Sequence, residues 1–398
     1  MMFDIKPSEK AKNVKYAIRN IVRFAKELEK NGKEILYLNI GDPTQYDFDV
    51  PQHMKDAVTE GMMHGVNGYA PSVGIEQARE AAAKDALKQG FDGVTSDDIV
   101  ITNGASEGIE LALTALLNPG DNVLTPAPGY PLYTAVLTKI GGIENPYYLN
   151  EENSWQPDPD DIRRKINDRT KALVLINPNN PTGSVCSREL LDDIIDIASN
   201  NNLVLFADEI YNKLTFDKKH IPIGTLTKDI PIITFNGLSK CYLAPGWRMG
   251  WMIFNNKALF WDFYTCLQNL LEARLCSPSP QQHAVKPALE GPQDHIKNFL
   301  DKLRVRREIT HKRINEIDGL SCVEPDGAFY AMPRIDADVG GSDWDFVLKL
   351  VEETGVLFVP GDGFGQKPGT RHFRIVFLPD ENTLNRAYDR LAEFMKGY

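Results

Sequence analysis

The sequence predicts an α/β fold, a mostly parallel sheet covered by helices on both faces, with a smaller α+β unit beside it. Three observations predict it. The middle of the chain alternates apolar runs (DIVIT, NVLTPAP, KALVLINP, LVLFADEIY, PIITFNGLSK) with helical stretches (SEGIELALTALL, PLYTAVLTKI, ELLDDIIDIA). Strands that are apolar without alternation are buried on both faces, as parallel strands are. From about residue 290 the texture changes to a long charged helix, HIKNFLDKLRVRREITHKRINEI, then short strands (SCVEP, GAFYAMP, VLFVPG, HFRIVFL) and a final helix from Glu381. The length of 398 residues exceeds one simple core, so two domains are expected.

The elements follow in order. Val14, Ala17, Ile18, Ile21, Val22, Ala25 and Leu28 recur with a helical period, which predicts one helix over 7–30 ending at Asn31-Gly32. EILYLNIGDP reads as a short strand entering a turn. The alternating region forms a large domain, 46–290. Chain ends often meet, so 1–45 is expected to join 291–398 in the small domain.

Bulk properties exclude several functions. A hydrophobic share of 42% with 25% charged residues fits a soluble globular protein. A net charge of −11 argues against nucleic-acid partners and anionic membrane surfaces. No apolar run reaches the length of a membrane span, and the N-terminal residues show no secretory h-region. The five cysteines are scattered without CxxC spacing, which predicts a reduced, cytoplasmic setting and no metal site.

In an open α/β sheet, ligands bind at the carboxyl ends of the strands, and the unusual residues sit there. Gly104-Ala105-Ser106 opens a helix after DIVIT. Helix N-terminal N–H groups with a serine hydroxyl suit a phosphate, although Ser106 would serve equally as a plain N-cap. Tyr130 in APGYP could lie face-on against a flat ring, or simply pack in a Pro-Gly turn. NPNNPTG places two Asn-Pro steps close together, and a cis bond at Pro181 would fix Asn180; a capped turn is the plainer alternative. Asp208 in FADEIY ends a buried strand, where an unpaired carboxylate is costly. It suits a protonated ring nitrogen, or an N-cap. Arg374 lies inside the apolar HFRIVFL, where a bidentate carboxylate partner or a structural ion pair would satisfy it. NGLSKCYLAPGWRMG sets Lys240 eight residues before Arg248. Together these features suit one ligand carrying a phosphate, a flat ring with a protonated nitrogen, a phenolic oxygen and an aldehyde for the Lys240 amine. The chain lacks GxxxxGK[ST] and a strand-borne GxGxxG.

With YAPSVG, NGASEG, APGYP, NPNNPTG, ADEIY, the S-K-x8-R stretch and HFRIVFL in this order, the chain resembles the class I/II aminotransferases that depend on pyridoxal 5'-phosphate (PLP). YAIRNIV, LNIGDP, DIRRKI and ARLCSPSPQQHA are most similar to the bacterial and archaeal alanine aminotransferase group. The resemblance implies fold type I, with a seven-stranded, mostly parallel sheet in the large domain. It implies that Lys240 forms the Schiff base with the cofactor. Arg248, Ser239 and the Gly104-Ala105-Ser106 turn would hold the phosphate, Tyr130 would stack on the ring, and Asp208 would pair with its nitrogen. Asn180 and Tyr211 would reach the phenolic oxygen, with Asp208 and Tyr211 counted beside Lys240 in the chemistry. Tyr69 would reach the phosphate of a neighbouring subunit in a homodimer with shared sites. Arg374 and Gly41, with Asn180, would hold the substrate α-carboxylate. Arg19 and Arg274 are the cations available for a glutamate side chain, and the amphipathicity of the first helix suggests that it, with Tyr16, covers the site as a lid. The implied reaction is ping-pong transamination between L-alanine and 2-oxoglutarate, giving pyruvate and L-glutamate. Aspartate, aromatic or branched-chain transamination, or a β-lyase reaction, are the alternatives on the same fold. Two departures from the family pattern are Gly237, where many relatives carry a serine, and AREA around Arg79 in place of LRxA.

Overall fold

The computed structural model describes residues 5–14 and 17–398, with side chains from residue 21 onward in the second stretch. The strands are β1 (Leu36–Tyr37), β2 (Ile99–Asn103), β3 (Asn122–Ala127), β4 (Ile143–Asn150), β5 (Gln156–Pro157), β6 (Thr170–Ile176), β7 (Val204–Asp208), β8 (Ile232–Gly237), β9 (Met249–Asn255), β10 (Leu320–Ser321), β11 (Tyr330–Ala331), β12 (Arg334–Ile335), β13 (Val356–Leu357), β14 (Val359–Pro360) and β15 (Phe373–Val376). The helices are α1 (Glu9–Asn13), α2 (Ala17–Lys30), α3 (Gln52–Met63), α4 (Glu76–Gln89), α5 (Ala105–Leu116), α6 (Leu132–Ile140), α7 (Pro159–Lys165), α8 (Arg188–Asn200), α9 (Trp261–Arg274), α10 (Ser279–Gln282), α11 (Val285–Glu290), α12 (Asp294–Asn315), α13 (Asp343–Thr354) and α14 (Glu381–Met395).

Among the described residues the main sheet has eight strands in the order β2-β9-β8-β7-β6-β3-β4-β5. β8, β7, β6, β3 and β4 are mutually parallel; β9 runs antiparallel to both β2 and β8. β5 adds a two-residue antiparallel edge to the seven longer strands. The parallel core is buried on both faces, and side-chain alternation sends neighbours to opposite layers. Val174, Phe206 and Phe235 face one layer with Leu113 of α5 and Val136 of α6. Leu173, Leu205 and Ile232 face the other with Leu191 and Ile194 of α8. Each such fully buried aliphatic or aromatic side chain contributes about 1.5–3 kcal/mol.

The single helix expected over 7–30 is divided. α1 is capped by the Ser8 hydroxyl and ends at Val14, whose backbone is extended. It buries none of its side chains, whereas α2 buries Ile21 and Ala25 at 0% exposure. Apolar packing therefore sustains the second segment and not the first.

The chain's two ends meet in a parallel pair, β1 with β13. Val376 of β15 then donates its N–H to the Leu38 carbonyl at 2.9 Å. This brings Arg374 on β15 beside Asn39 and Gly41, immediately after β1.

Candidate active site

The carboxyl ends of β3, β6, β7 and β8, with the carboxyl end of β2 beside them, converge on a cleft of about 1330 Å³. Gly41, Ala105, Ser106, Tyr130, Asn180, Asp208, Tyr211, Ser239, Lys240, Arg248 and Arg374 all line it. Residues far apart in sequence are thus gathered by strand topology alone.

Lys240 follows β8 and is directed inward. Its Nζ donates to the Gly41 carbonyl at 2.7 Å. Burial, with Arg374 second, lowers its pKa to about 8. The amine is therefore far easier to deprotonate than a surface lysine.

Asp208 ends β7 at 4% exposure. Burial raises its pKa to about 6, against the hydrogen bonds from the Ile210 N–H and the Tyr133 hydroxyl, the latter at 3.3 Å. A buried acid held this way is suited to a cationic partner.

One end of the cleft is built for an anion. α5 begins at Gly104 (φ 73°), with no side-chain cap on its first N–H groups. A Cβ at Gly104 would lie 2.4 Å from an Arg248 Nη atom, so only glycine allows the guanidinium to approach the helix start. Arg248 Nη1 donates to the Pro245 carbonyl at 2.9 Å, and Ser106 and Ser239 line the same cleft. An open helix start, two hydroxyls and an arginine are groups that could hold a phosphate.

Arg374 is a further cation in the cleft and could hold a carboxylate. Arg374 is buried at 2% exposure. Its Nη1 donates to Asn180 Oδ1 at 2.9 Å and its Nη2 to the Asn39 carbonyl at 2.7 Å. The rings of Tyr330 and Phe364 each lie 4.7 Å from the guanidinium carbon. The Asn180–Pro181 bond is cis.

Sequence reasoning missed two tyrosines. Tyr330 lines the cleft, shares a 2.8 Å hydrogen bond with the Tyr211 hydroxyl, and packs on Gly41, where a Cβ would meet its hydroxyl at 2.2 Å. Tyr133 holds Asp208 from α6. The only signal for Tyr330 was its place in the unusual strand GAFYAMP. Tyr133 carried none.

Other expected residues lie elsewhere. Tyr69 is 86% exposed, on a separate surface pocket shared with Arg274. Arg274 donates to Ser277 Oγ and the Ser72 carbonyl, both at 3.1 Å, and sits 3.5 Å from Glu107. It is therefore outside the Lys240 cleft of its own chain. Tyr16 lies outside the described residues, as does the Arg19 side chain, although α2 itself borders the cleft through Val22, Arg23 and Lys26. Arg79 is occupied structurally, donating to the carbonyls of Gly74 (3.2 Å) and Ser96 (2.7 Å).

A doubly wound sheet with a cleft at its strand ends is the architecture of many α/β enzymes, and the chain belongs to the family "Aminotransferase class I and II", which matches residues 33–391. Among its relatives, the "Glutamate-pyruvate aminotransferase AlaA" of Escherichia coli K12 is 42% identical, covering 100% of this chain and 99% of that one. The "Alanine aminotransferase" of Mycobacterium tuberculosis H37Rv is 41% identical over 98% of this chain and 92% of that one. The solved structure of the alanine aminotransferase from Pyrococcus furiosus superposes with a TM-score of 0.97 at 43% identity, covering 99% of this chain and 100% of that one.

Proposed function

We propose that this protein is an alanine aminotransferase that uses PLP to exchange the amino group between L-alanine and 2-oxoglutarate, giving pyruvate and L-glutamate. The observation that carries the reading is Lys240, a half-buried amine of lowered pKa in one cleft with Arg248 and the buried Arg374. The names of its full-length relatives carry the substrate choice.

The residues present fit the cofactor. Gly104, Ala105, Ser106, Ser239 and Arg248 would hold its phosphate. Asp208 would hold the proton of its ring nitrogen, Tyr130 would cover its face, and Asn180 and Tyr211 would contact its phenolic oxygen. When bound, PLP supplies the aldehyde that Lys240 captures and an electron sink for the substrate Cα.

The chain's own groups do the rest. Arg374, oriented by Asn180 and the Asn39 carbonyl, binds the α-carboxylate through its guanidinium fork. Lys240 Nζ would take the proton from the substrate Cα and hold it for return within the same half-reaction. Its lowered pKa leaves a usable fraction of neutral amine near pH 7. Tyr330 steadies Tyr211 through their shared hydrogen bond. Two half-reactions in one cleft give ping-pong kinetics.

Further parts of the reading are proposals of the same standing. Residues 46–290 form the large domain, and 1–45 with 291–398 the small one, supported by the β1–β13 pairing. The protein works as a homodimer in which exposed Tyr69 reaches the partner's phosphate site; its 86% exposure beside Arg274 supports this. Tyr16 and Arg19 serve substrate binding; α2, the helix that carries Arg19, borders the cleft through Val22, Arg23 and Lys26. A cytoplasmic setting is supported by the free state of Cys186, Cys241, Cys266, Cys276 and Cys322. Among the described residues, no helix is long and apolar enough to cross a membrane, and no cluster of three metal-ligating side chains occurs.

The test is a substrate panel. Alanine with 2-oxoglutarate is expected to give the highest kcat/KM. Faster turnover of aspartate or phenylalanine would replace this reading with another class I aminotransferase.

A further inference from the structure

Behind the cleft, on the far face of the sheet, lies a buried ionisable pair that the reaction above does not use. Glu209 follows the last residue of β7 and donates its N–H to the Phe235 carbonyl at 3.0 Å; its side chain meets Ile223 of one apolar layer, whereas Asp208 meets Tyr133 of the other. The side chains of Glu209 and His220 are 3% and 5% exposed, with Glu209 Oε2 3.2 Å from His220 Nε2. Glu209 Oε1 also accepts the Ile223 N–H at 3.1 Å. On its other side the imidazole meets Asn177, with 3.4 Å between His220 Nδ1 and Asn177 Nδ2.

Asn177 fixes the orientation of the imidazole. Its Oδ1 already accepts the Cys186 N–H at 3.0 Å, so its Nδ2 is the atom facing the imidazole, as a donor. His220 Nδ1 therefore takes the accepting role, and Nε2 is the ring nitrogen turned toward Glu209. The contact to Glu209 is an ion-pair distance and not a linear hydrogen bond. Asn177 opens the loop that carries Asn180, and its N–H donates to the Asp208 carbonyl at 3.0 Å. One buried pair thus touches both the segment holding Asp208 and the loop that orients Arg374.

We propose that Glu209 and His220 are positioning residues with divided roles. Glu209 supplies a second negative charge behind Asp208 that strengthens its hold on the ring-nitrogen proton of PLP, and His220 anchors the Asn177–Gly183 loop for carboxylate binding. The inference rests on the proposed cofactor. The groups around Asp208 are Tyr133 from α6, Lys240 after β8, Tyr211 after β7 and Glu209 from behind. Glu209 is one of the causes that raise the Asp208 pKa, after burial. A carboxylate several ångströms away inside a protein shifts a neighbour by about one pH unit.

The experiment loads the protein with PLP labelled with ¹⁵N in the ring and follows the nitrogen's shift between pH 6 and 9. In Glu209→Gln the nitrogen is expected to lose its proton about one pH unit lower than in the parent protein. In His220→Gln the nitrogen is expected to titrate as in the parent, while KM for L-alanine rises about fivefold, the value of one hydrogen bond. Glu209→Asp keeps the charge and serves if Glu209→Gln does not fold; its nitrogen is expected to titrate as in the parent. Parent-like titration in Glu209→Gln, a shifted one in Glu209→Asp, or an unchanged KM in His220→Gln would overturn the proposal. Equal shifts in the Gln variants at both positions would reduce the pair to a structural brace. A protein that never takes up the labelled cofactor overturns both this inference and the function it rests on.

Discussion

The lowered pKa of Lys240 has a measurable consequence for cofactor capture. At pH 7 an amine of pKa about 8 is about 9% neutral, whereas one at the ordinary 10.5 is about 0.03% neutral. Burial and the nearby Arg374 therefore raise the reactive fraction about 300-fold at neutral pH. The sign follows from the direction of the shift: a lowered pKa makes the neutral amine available above about pH 8, not above 10.5. The assay mixes cofactor-free protein with PLP at pH 7 to 10 and follows the visible absorbance. The initial rate is expected to climb about fivefold between pH 7 and 8 and to flatten above pH 9. Arg374→Ala removes the second-largest cause, so its curve is expected to move to higher pH. A rate that keeps rising tenfold per unit to pH 10 would refute the argument, because it would place the amine near its unperturbed value.

Other predictions follow from single contacts. Asp208→Asn is expected to abolish transamination yet stabilise the cofactor-free protein at pH 8 by on the order of 3 kcal/mol, read by denaturant unfolding. The raised pKa means the folded state binds an extra proton between about pH 4 and 6, so stability falls as pH rises through that window, and the amide removes the cost. Arg374→Lys keeps the charge but loses the fork, and kcat/KM for L-alanine is expected to fall about 10- to 150-fold. Gly237→Ser would place its Cβ 2.6 Å from the Met249 carbonyl and 2.9 Å from Gly250 Cα, and about 1–3 kcal/mol of stability should be lost on thermal unfolding. Tyr330→Phe removes one hydrogen bond to Tyr211 and is expected to cost about 1 kcal/mol in kcat/KM.

The sequence disclosed the site where chemistry forced odd residues into apolar strands. Asp208 at the end of LVLFAD and Arg374 within FRIV could be picked out because a buried charge is costly without a purpose. Lys240 could be picked out through its spacing to Arg248. Tyr330 and Tyr133 were hidden because aromatic residues in a strand and on a helix are ordinary core material. β9 escaped because its residues, MGWMIFN, directly follow the arginine turn and read as part of that motif. Gly237 was legible as a departure from the pattern, but not its reason: β9 packs so closely on β8 there that a side chain meets backbone. The Glu209–His220 pair depends on a loop, 212–222, whose path no periodicity predicts.

The central claim is that Lys240 binds PLP and that alanine reacts there. Its most direct test is the absorption spectrum of the purified protein before and after L-alanine. The account predicts a visible band that shifts on adding L-alanine and is absent from Lys240→Ala. A protein that stays colourless after PLP is supplied, or whose band persists in Lys240→Ala, would contradict it.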